Sequence, residues 1–402
     1  MGKIIQRKYY LEKTKPYINV NLIKVFVGQR RVGKSFVMQM IRDFIKKKNK
    51  AANIIFIDKE QYQFDFIKSY KDLINYIESK INKNTENYLF IDEVQEISQF
   101  EKALRHFQNK NNIDIYCTGS NAKMLSGDLA THLSGRYIKI EIMPLSYKEF
   151  LQFNNFENNN ETLEKYLKWG TLPFIKNLDK TDDIIYDYLK NIVSTIIYKD
   201  IIYRYKIRNL DFFDSLLLFI ASNSGNIISA KKISEYLKSQ NVDISTKVVL
   251  EYLEYLQNAF LINKIKRVEI NSKKVFAINN KYFFTDWGLR NTLLGLDRFS
   301  VPDIIENVVF FHLKQLGYKI NIGVLKDLEI DFIAELNGKV SYFQVAYLIA
   351  DNKVKEREFG NLLKIKDNYN KYVISLDTFL ISDYKGIKHL SLKDFLEMDE
   401  FN

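Results

Sequence analysis

At 402 residues, 46% of them hydrophobic and 27% charged, the chain is too long for one ordinary core and too apolar for a disordered polymer; it reads as a folded protein of about two to four domains. Its single cysteine, Cys117, excludes an internal disulfide, and neither it nor the scattered histidines His106, His132, His312 and His389 shows a metal-ligand spacing. The formal charge of +11 invites a nucleic-acid partner, but the excess is mostly lysine without a dense basic block, so charge alone names no binding surface.

Residues 21–144 alternate apolar strands with helical patterns. Strands are expected at Leu22–Val27, Asn53–Asp58, Asn87–Asp92, Ile113–Thr118 and Tyr137–Met143, and helices at Lys34–Lys48, Asp72–Asn82, Ser98–Asn109 and Ala122–Leu133. Several strands are continuous apolar runs, as strands look when both faces of a parallel sheet are covered, so an α/β layer fold is expected. Pro144 closes this region. Residues 145–208 read as mostly helical, broken by the Asn-rich loop Asn154–Asn160 and by Gly170-Thr-Leu-Pro173. Helical patterns at Phe212–Ala221, Ala230–Leu237 and Thr246–Phe260, then β-like runs Leu261–Ile270 and Lys274–Phe284, spell a winged helix-turn-helix over 209–298. Pro302 opens a last unit, 299–402, with a helix from Asp303 to Leu316 and strands near Leu328–Leu336 and Val340–Leu348. No run of about 18 apolar residues and no signal-peptide core occurs, so the expected location is cytoplasmic.

The octet Gly28-Gln-Arg-Arg-Val-Gly-Lys-Ser35 follows the first strand and opens the first long helix. It matches G-x-x-x-x-G-K-[ST], a loop whose backbone N–H groups and helix N-terminus cradle phosphate. In it, Lys34 offers a point charge to the β- and γ-phosphates and Ser35 a hydroxyl to Mg²⁺; the nucleotide-binding stretch is expected to be Gly28, Gln29, Arg30, Arg31, Val32, Gly33, Lys34, Ser35 and Phe36. Arg30 and Arg31 either touch phosphate or pack outside the loop. The second half of such a site is a carboxylate ending another buried strand. Tyr88-Leu-Phe-Ile-Asp92-Glu93 supplies Asp92 for Mg²⁺ and Glu93 as general base. The strand ending in Ser120 and Asn121 offers either a γ-phosphate or water contact, or turn chemistry. Arg136 is a candidate arginine finger toward a neighbouring subunit, set against a helix-end arginine held by the dipole.

With these motifs the chain resembles the bacterial and archaeal AAA-type ATPases that carry a C-terminal domain of unknown function. The resemblance spans nearly the whole chain. It rests on the octet, Phe90-Ile-Asp-Glu-Val-Gln95, Thr118-Gly-Ser-Asn121, Leu133-Ser-Gly-Arg-Tyr137, Met143-Pro-Leu-Ser-Tyr-Lys-Glu-Phe150, Phe284-Thr-Asp-Trp-Gly-Leu289 and Glu329-Ile-Asp-Phe332. It implies a P-loop ATPase core over 1–144, a helical lid over 145–208, the winged helix, and a restriction-endonuclease-like α/β domain over 299–402. Relatives often show Gly-Gly where this chain has Gly170-Thr171. A restriction-type site would use Glu306 and Asp331, but the third position reads Gln344-Val-Ala346, without the lysine, so nuclease activity is not expected. The recognition-helix position exposes Lys247, Glu251, Glu254 and Asn258, and two glutamates suit a phosphate backbone poorly.

These readings give an ATP- and Mg²⁺-dependent ATPase, acting in a homo-oligomer with double-stranded DNA as a possible partner. The alternatives are a slow-hydrolysing nucleotide-gated switch and a Mg²⁺-dependent nuclease coupled to an ATPase.

Overall fold

The computed structural model describes residues 5–110, 112–122, 135–239, 244–276, 278–377 and 383–401. His132 and nearly all of the helix expected at Ala122–Leu133 lie outside them. The chain divides into two compact units, residues 1–144 with 258–260, and residues 145–257 with 261–402. Among the described residues no helix is long and apolar enough to cross a membrane.

The first unit is built on a parallel sheet of five strands: β1 (Ile23–Val27), β2 (Asn53–Asp58), β3 (Asn87–Asp92), β4 (Ile113–Gly119) and β5 (Tyr137–Glu141). Their order is β2-β3-β4-β1-β5. Every residue of β1, β3 and β4 is buried, which accounts for their continuous apolar runs. The charge within β1, Lys24, is fully buried. Asp114 of β4 neutralises it and also accepts the Tyr116 hydroxyl at 2.6 Å and the Asn19 N–H at 2.9 Å. The connecting helices are α1 (Lys8–Thr14), α2 (Lys34–Lys48), α3 (Tyr70–Glu78) and α4 (Phe100–Gln108). Helix α2 turns Val37, Met38, Ile41 and Ile45 inward at helical spacing. Helix α3 starts in a Ser69–Asp72 capping box and stops at Glu78, short of the expected Asn82.

The second unit begins with α5 (Tyr147–Asn154), α6 (Asn160–Trp169) and α7 (Asp182–Thr195), the last continued by a π-helix over Ile196–Tyr203. Then come α8 (Leu210–Ser222), α9 (Ala230–Ser239), α10 (Thr246–Asn258) and the antiparallel pair β6 (Ile262–Ile265) and β8 (Lys281–Phe284). Between them β7 (Arg267–Glu269) keeps the expected hairpin, with Glu269 N donating to Lys274 O and Phe276 N to Arg267 O, both at 2.9 Å, and on its other edge pairs in parallel with β9 (Lys319–Leu325). On α10, Lys247 and Glu254 are exposed, whereas Glu251 and Asn258 are half-buried.

Helix α11 (Trp287–Leu294) is almost entirely buried. The fully buried Asp286 caps it, accepting from Leu289 N at 3.2 Å while also accepting Thr171 N at 2.6 Å and the Thr171 hydroxyl at 3.2 Å. The Gly170-Thr171 turn is thus the seat of the helix N-terminus, and Thr171 adds a hydroxyl donor to it. A six-stranded sheet, ordered β13-β12-β11-β10-β9-β7, completes the unit. It adds β10 (Leu328–Leu336), β11 (Lys339–Val345), β12 (Asn370–Ser375) and β13 (Ile387–Ser391), with helices α12 (Pro302–Gln315), α13 (Asn352–Leu363) and α14 (Leu392–Glu397).

The tightest backbone approach here is at Gly288, where a Cβ would stand 2.1 Å from the Trp169 carbonyl oxygen. Gly288→Ala is expected to cost about 3 kcal/mol by overpacking, read as a fall in melting temperature. An unchanged melt would mean that α6 and α11 separate freely.

Candidate functional site

The phosphate-type loop leaves β1 flush against the chain that extends β5. Ile142 N donates to Val27 O at 2.7 Å, and a Cβ on Gly28 would lie 2.2 Å from Ile142 O, so only glycine fits there. Gly33, in the left-handed region at φ 92°, caps α2 and turns its first N–H groups toward the loop. Arg7, missed in the sequence, fastens the loop from outside. Its guanidinium donates to Val32 O at 3.2 Å, Met143 O at 2.7 Å and Pro144 O at 3.1 Å. Nothing in its local sequence signals this, because all three partners are distant carbonyls.

The Lys34 ammonium is buried. It donates to the carbonyls of Gly28 at 3.3 Å and Gln29 at 3.2 Å and faces Glu93 Oε1 at 3.6 Å. The Gln29 side chain is fully buried and neither amide atom has a partner among the described residues. Arg30 is buried, pairs with Glu60 at 3.2 Å and is near enough for its charge to act on Glu93. Arg31 is exposed, with φ 70°, and Phe36 is 60% exposed.

Asp92 and Glu93 arrive from β3, next but one to β1 in the sheet. Asp92 accepts the Thr118 hydroxyl, and the Ser35 hydroxyl is near enough to favour its ionised form. Thr118, at the end of β4 between the two strands, also accepts Glu93 N at 2.8 Å and so fixes both acids from one hydroxyl. Burial pushes the Asp92 carboxyl up to about 6, against the pull of those two hydroxyls. For Glu93, burial also acts upward. The Lys34 charge, the Gln95 amide, Arg30 and the Ser120 hydroxyl outweigh it and hold the carboxyl below its ordinary range.

Ser120 and Asn121 are both buried beyond the end of β4, and the Gln95 amide lies 3.3 Å from Ser120 Oγ. Arg136 is not in this constellation. It is exposed, contacts Asn109 Oδ1 at 3.4 Å and precedes Tyr137, which pairs with Ile23 at the opposite end of β1 from the loop. Four residues of strand, about 13 Å, separate the two ends.

A second cluster forms in the other unit. Glu306 of α12, with Glu329 and Asp331 of β10, surrounds the ammonium of Lys281 from β8. The ammonium pairs with Glu306, lies 2.7 Å from Glu329 and lies 3.8 Å from Asp331. Gln344 stands opposite Asp331 on β11, and its Oε1 has no partner among the described residues. The lysine missing from the Gln344-Val-Ala346 stretch is therefore met by one 63 positions earlier, counted from Lys281 to Gln344. Its position is a strand pairing that local sequence does not reveal. This set does not fit a metal as built. The ammonium stands among the carboxylates, and among the described residues no three His, Cys, Asp or Glu side chains are arranged to hold an ion.

At the loop, by contrast, the groups present fit a nucleotide: a buried ammonium met by two carbonyls and one carboxylate, an unpartnered buried amide at Gln29, and a hydroxyl–carboxylate pair at Ser35 and Asp92.

Residues 20–151 match the AAA domain family, and residues 160–300 match a domain of unknown function, DUF8612. The fold is similar to the Walker-type ATPase PABY2304 of Pyrococcus abyssi, with a TM-score of 0.50 at 17% identity, covering 73% of this chain and 96% of that one. An uncharacterized protein of Haemophilus influenzae is 35% identical over 98% of both chains. The uncharacterized protein MJ1544 of Methanocaldococcus jannaschii is 33% identical over 86% of this chain and 79% of its own. The chain, with its AAA domain at residues 20–151, belongs to one family with these Haemophilus and Methanocaldococcus proteins.

Proposed function

We propose that the protein is an ATP-binding, Mg²⁺-dependent AAA-type ATPase whose turnover drives or gates a conformational change in a homo-oligomer associated with duplex DNA. The observation that carries the reading is the gathering of Lys34, Ser35, Asp92 and Glu93 at one end of a single sheet. Loop amides and Lys34 hold the β- and γ-phosphates. Ser35 and Asp92 would hold Mg²⁺, which when bound withdraws charge from the phosphate oxygens. Glu93 takes a proton from a water whose oxygen attacks the γ-phosphorus as the bond to the β-phosphate oxygen breaks. Asn121 is proposed to contact the γ-phosphate or that water. Arg136 is too far along the sheet to serve its own nucleotide, so its proposed role is in trans, at a neighbour's. The net charge of +11 and the helical–hairpin segment over 209–298, read as a winged helix, support duplex DNA as the partner.

For the second cluster we propose a holding role: Lys281 ties β8 to α12 and β10 by charge, and the region is a restriction-nuclease-like scaffold without cleavage chemistry.

Lys34→Ala is expected to weaken binding of a non-hydrolysable ATP analogue by about 100-fold or more. Glu93→Gln keeps that binding while turnover falls by about 100-fold or more; wild-type turnover in this variant would remove Glu93 from the mechanism. Arg136→Ala lowers turnover by about 1,000-fold, and mixing it with Glu93→Gln restores part of it; no restoration argues against a shared site. Hydrolysis that stays slow with DNA, alongside ATP-dependent binding, would favour the switch over the machine. Lys281→Met, which strips the carboxylates of their counter-ion, costs about 3 kcal/mol in a melt. Plasmid incubated with the protein and Mg²⁺ stays intact; cleavage abolished by Asp331→Ala would overturn the holding role.

A further inference from the structure

The stretch Phe90-Ile-Asp-Glu-Val-Gln95 runs two residues beyond the acid pair. At the end of β3 the chain breaks sharply. Glu93 takes φ 51° and ψ 52°, a left-handed conformation that costs a non-glycine residue roughly 1 kcal/mol or more. A short 3₁₀ turn, Val94–Glu96, follows directly. It is closed by Glu96 N to Glu93 O at 3.1 Å and anchored by the fully buried Val94. The turn folds Gln95 back over the carboxylate that precedes it.

The two oxygens of Glu93 then have different partners. Oε1 faces the Lys34 ammonium at 3.6 Å, and Oε2 accepts the Gln95 amide. That amide nitrogen is also 3.3 Å from Ser120 Oγ, and the Ser120 hydroxyl is near enough to favour the ionised Glu93 carboxyl. The other end of the amide, Gln95 Oε1, is buried and has no partner among the described residues. A glutamine that merely closed its turn would bond backbone groups; both side-chain partners of this one belong to the site.

We infer that Gln95, braced by Ser120, is the positioning residue for Glu93. The inference rests on the reading of Glu93 as general base. The physical need is plain. A triphosphate draws Lys34 toward itself, and a carboxylate tied only to that ammonium would follow it and become a counter-ion. A neutral donor on the second oxygen keeps the carboxylate in place without competing for the proton. The free Gln95 Oε1 beside it can accept one hydrogen of a water whose other hydrogen points at Glu93, which leaves the oxygen lone pair for phosphorus. Misplacement of a reacting group by about 1 Å costs on the order of 100-fold in rate, so the brace acts on turnover and not on affinity.

The test compares the full-length wild type with Gln95→Ala, Ser120→Ala, Glu93→Gln and the Glu93→Gln/Gln95→Ala double variant. It measures ATP turnover and affinity for a non-hydrolysable ATP analogue. Gln95→Ala is expected to lower kcat by about 10- to 100-fold with analogue affinity within about twofold, and to add no loss to Glu93→Gln. Ser120→Ala gives a smaller loss of the same kind, about threefold to tenfold, and carries the test alone if Gln95→Ala does not fold. Turnover of Gln95→Ala within about twofold of wild type, or losses that multiply in the double variant, overturns the inference while leaving Glu93 as base. If Glu93→Gln itself turns over at the wild-type rate, the base reading falls and this inference with it.

Discussion

An ammonium and a carboxylate, each nearly out of water and 3.6 Å apart, set the terms for the first unit. Moving either ion out of water costs several kcal/mol unless partners replace the solvent. Here the replacement is partial. Lys34 has two carbonyls and Glu93 for company, all acceptors, and Gln29 beside it has an amide with no partner among the described residues. A polyanion with many acceptor oxygens would supply what the ammonium, the loop N–H groups and that amide lack. A phosphate reaching Lys34 would have to compete with Glu93 for it, which would couple its binding to release of the acid.

The geometry that allows this follows from sheet register. Asp92 ends β3, Thr118 is the last residue but one of β4 and Gly28 follows β1, on neighbouring parallel strands that end within about one residue of each other. One threonine hydroxyl between the outer two can then reach both the Asp92 carboxylate and the Glu93 amide. Parallel pairing needs each strand to be covered by a helix, and α2 both covers β1 and presents Lys34 and Ser35 from its first turn. Fold and candidate site therefore share their residues: the helix start that completes the layer is also the end that carries Lys34 and Ser35.

Much of this was legible in the sequence because the signals are local. A strand apolar but for Lys24, a glycine-bounded loop and an amphipathic helix sit within 30 residues of each other, and Asp92-Glu93 closes its own strand. The five strands of the first sheet were placed to within one or two residues at most ends. What the sequence hid depends on pairing between distant segments. Arg7 binds carbonyls more than a hundred positions away, β7 adds a parallel pairing with β9 to its hairpin, and Lys281 joins Glu306 and Asp331 through tertiary contact alone. Strands β9, β12 and β13 are absent from the sequence reading because each is fixed by pairing with a neighbour in the sheet. The buried motif at Thr285–Leu289 was legible as a motif but not as a helix cap seated on Gly170-Thr171.

The two units each contain a lysine among carboxylates, and the contrast shows why residue type alone does not define a site. Lys281 meets three carboxylates, so its own charge is more than matched and nothing anionic is drawn to it. The surplus negative charge around it raises the cost of ionising the acids, and burial and mutual repulsion push Asp331 and Glu306 upward. Lys34 meets a single carboxylate, and that carboxylate has a second, neutral anchor in Gln95. Its positive charge remains available once Glu93 is held elsewhere. The difference lies in how many acids crowd the ammonium and what else restrains them, which is a property of packing that appears only when the strands are assembled.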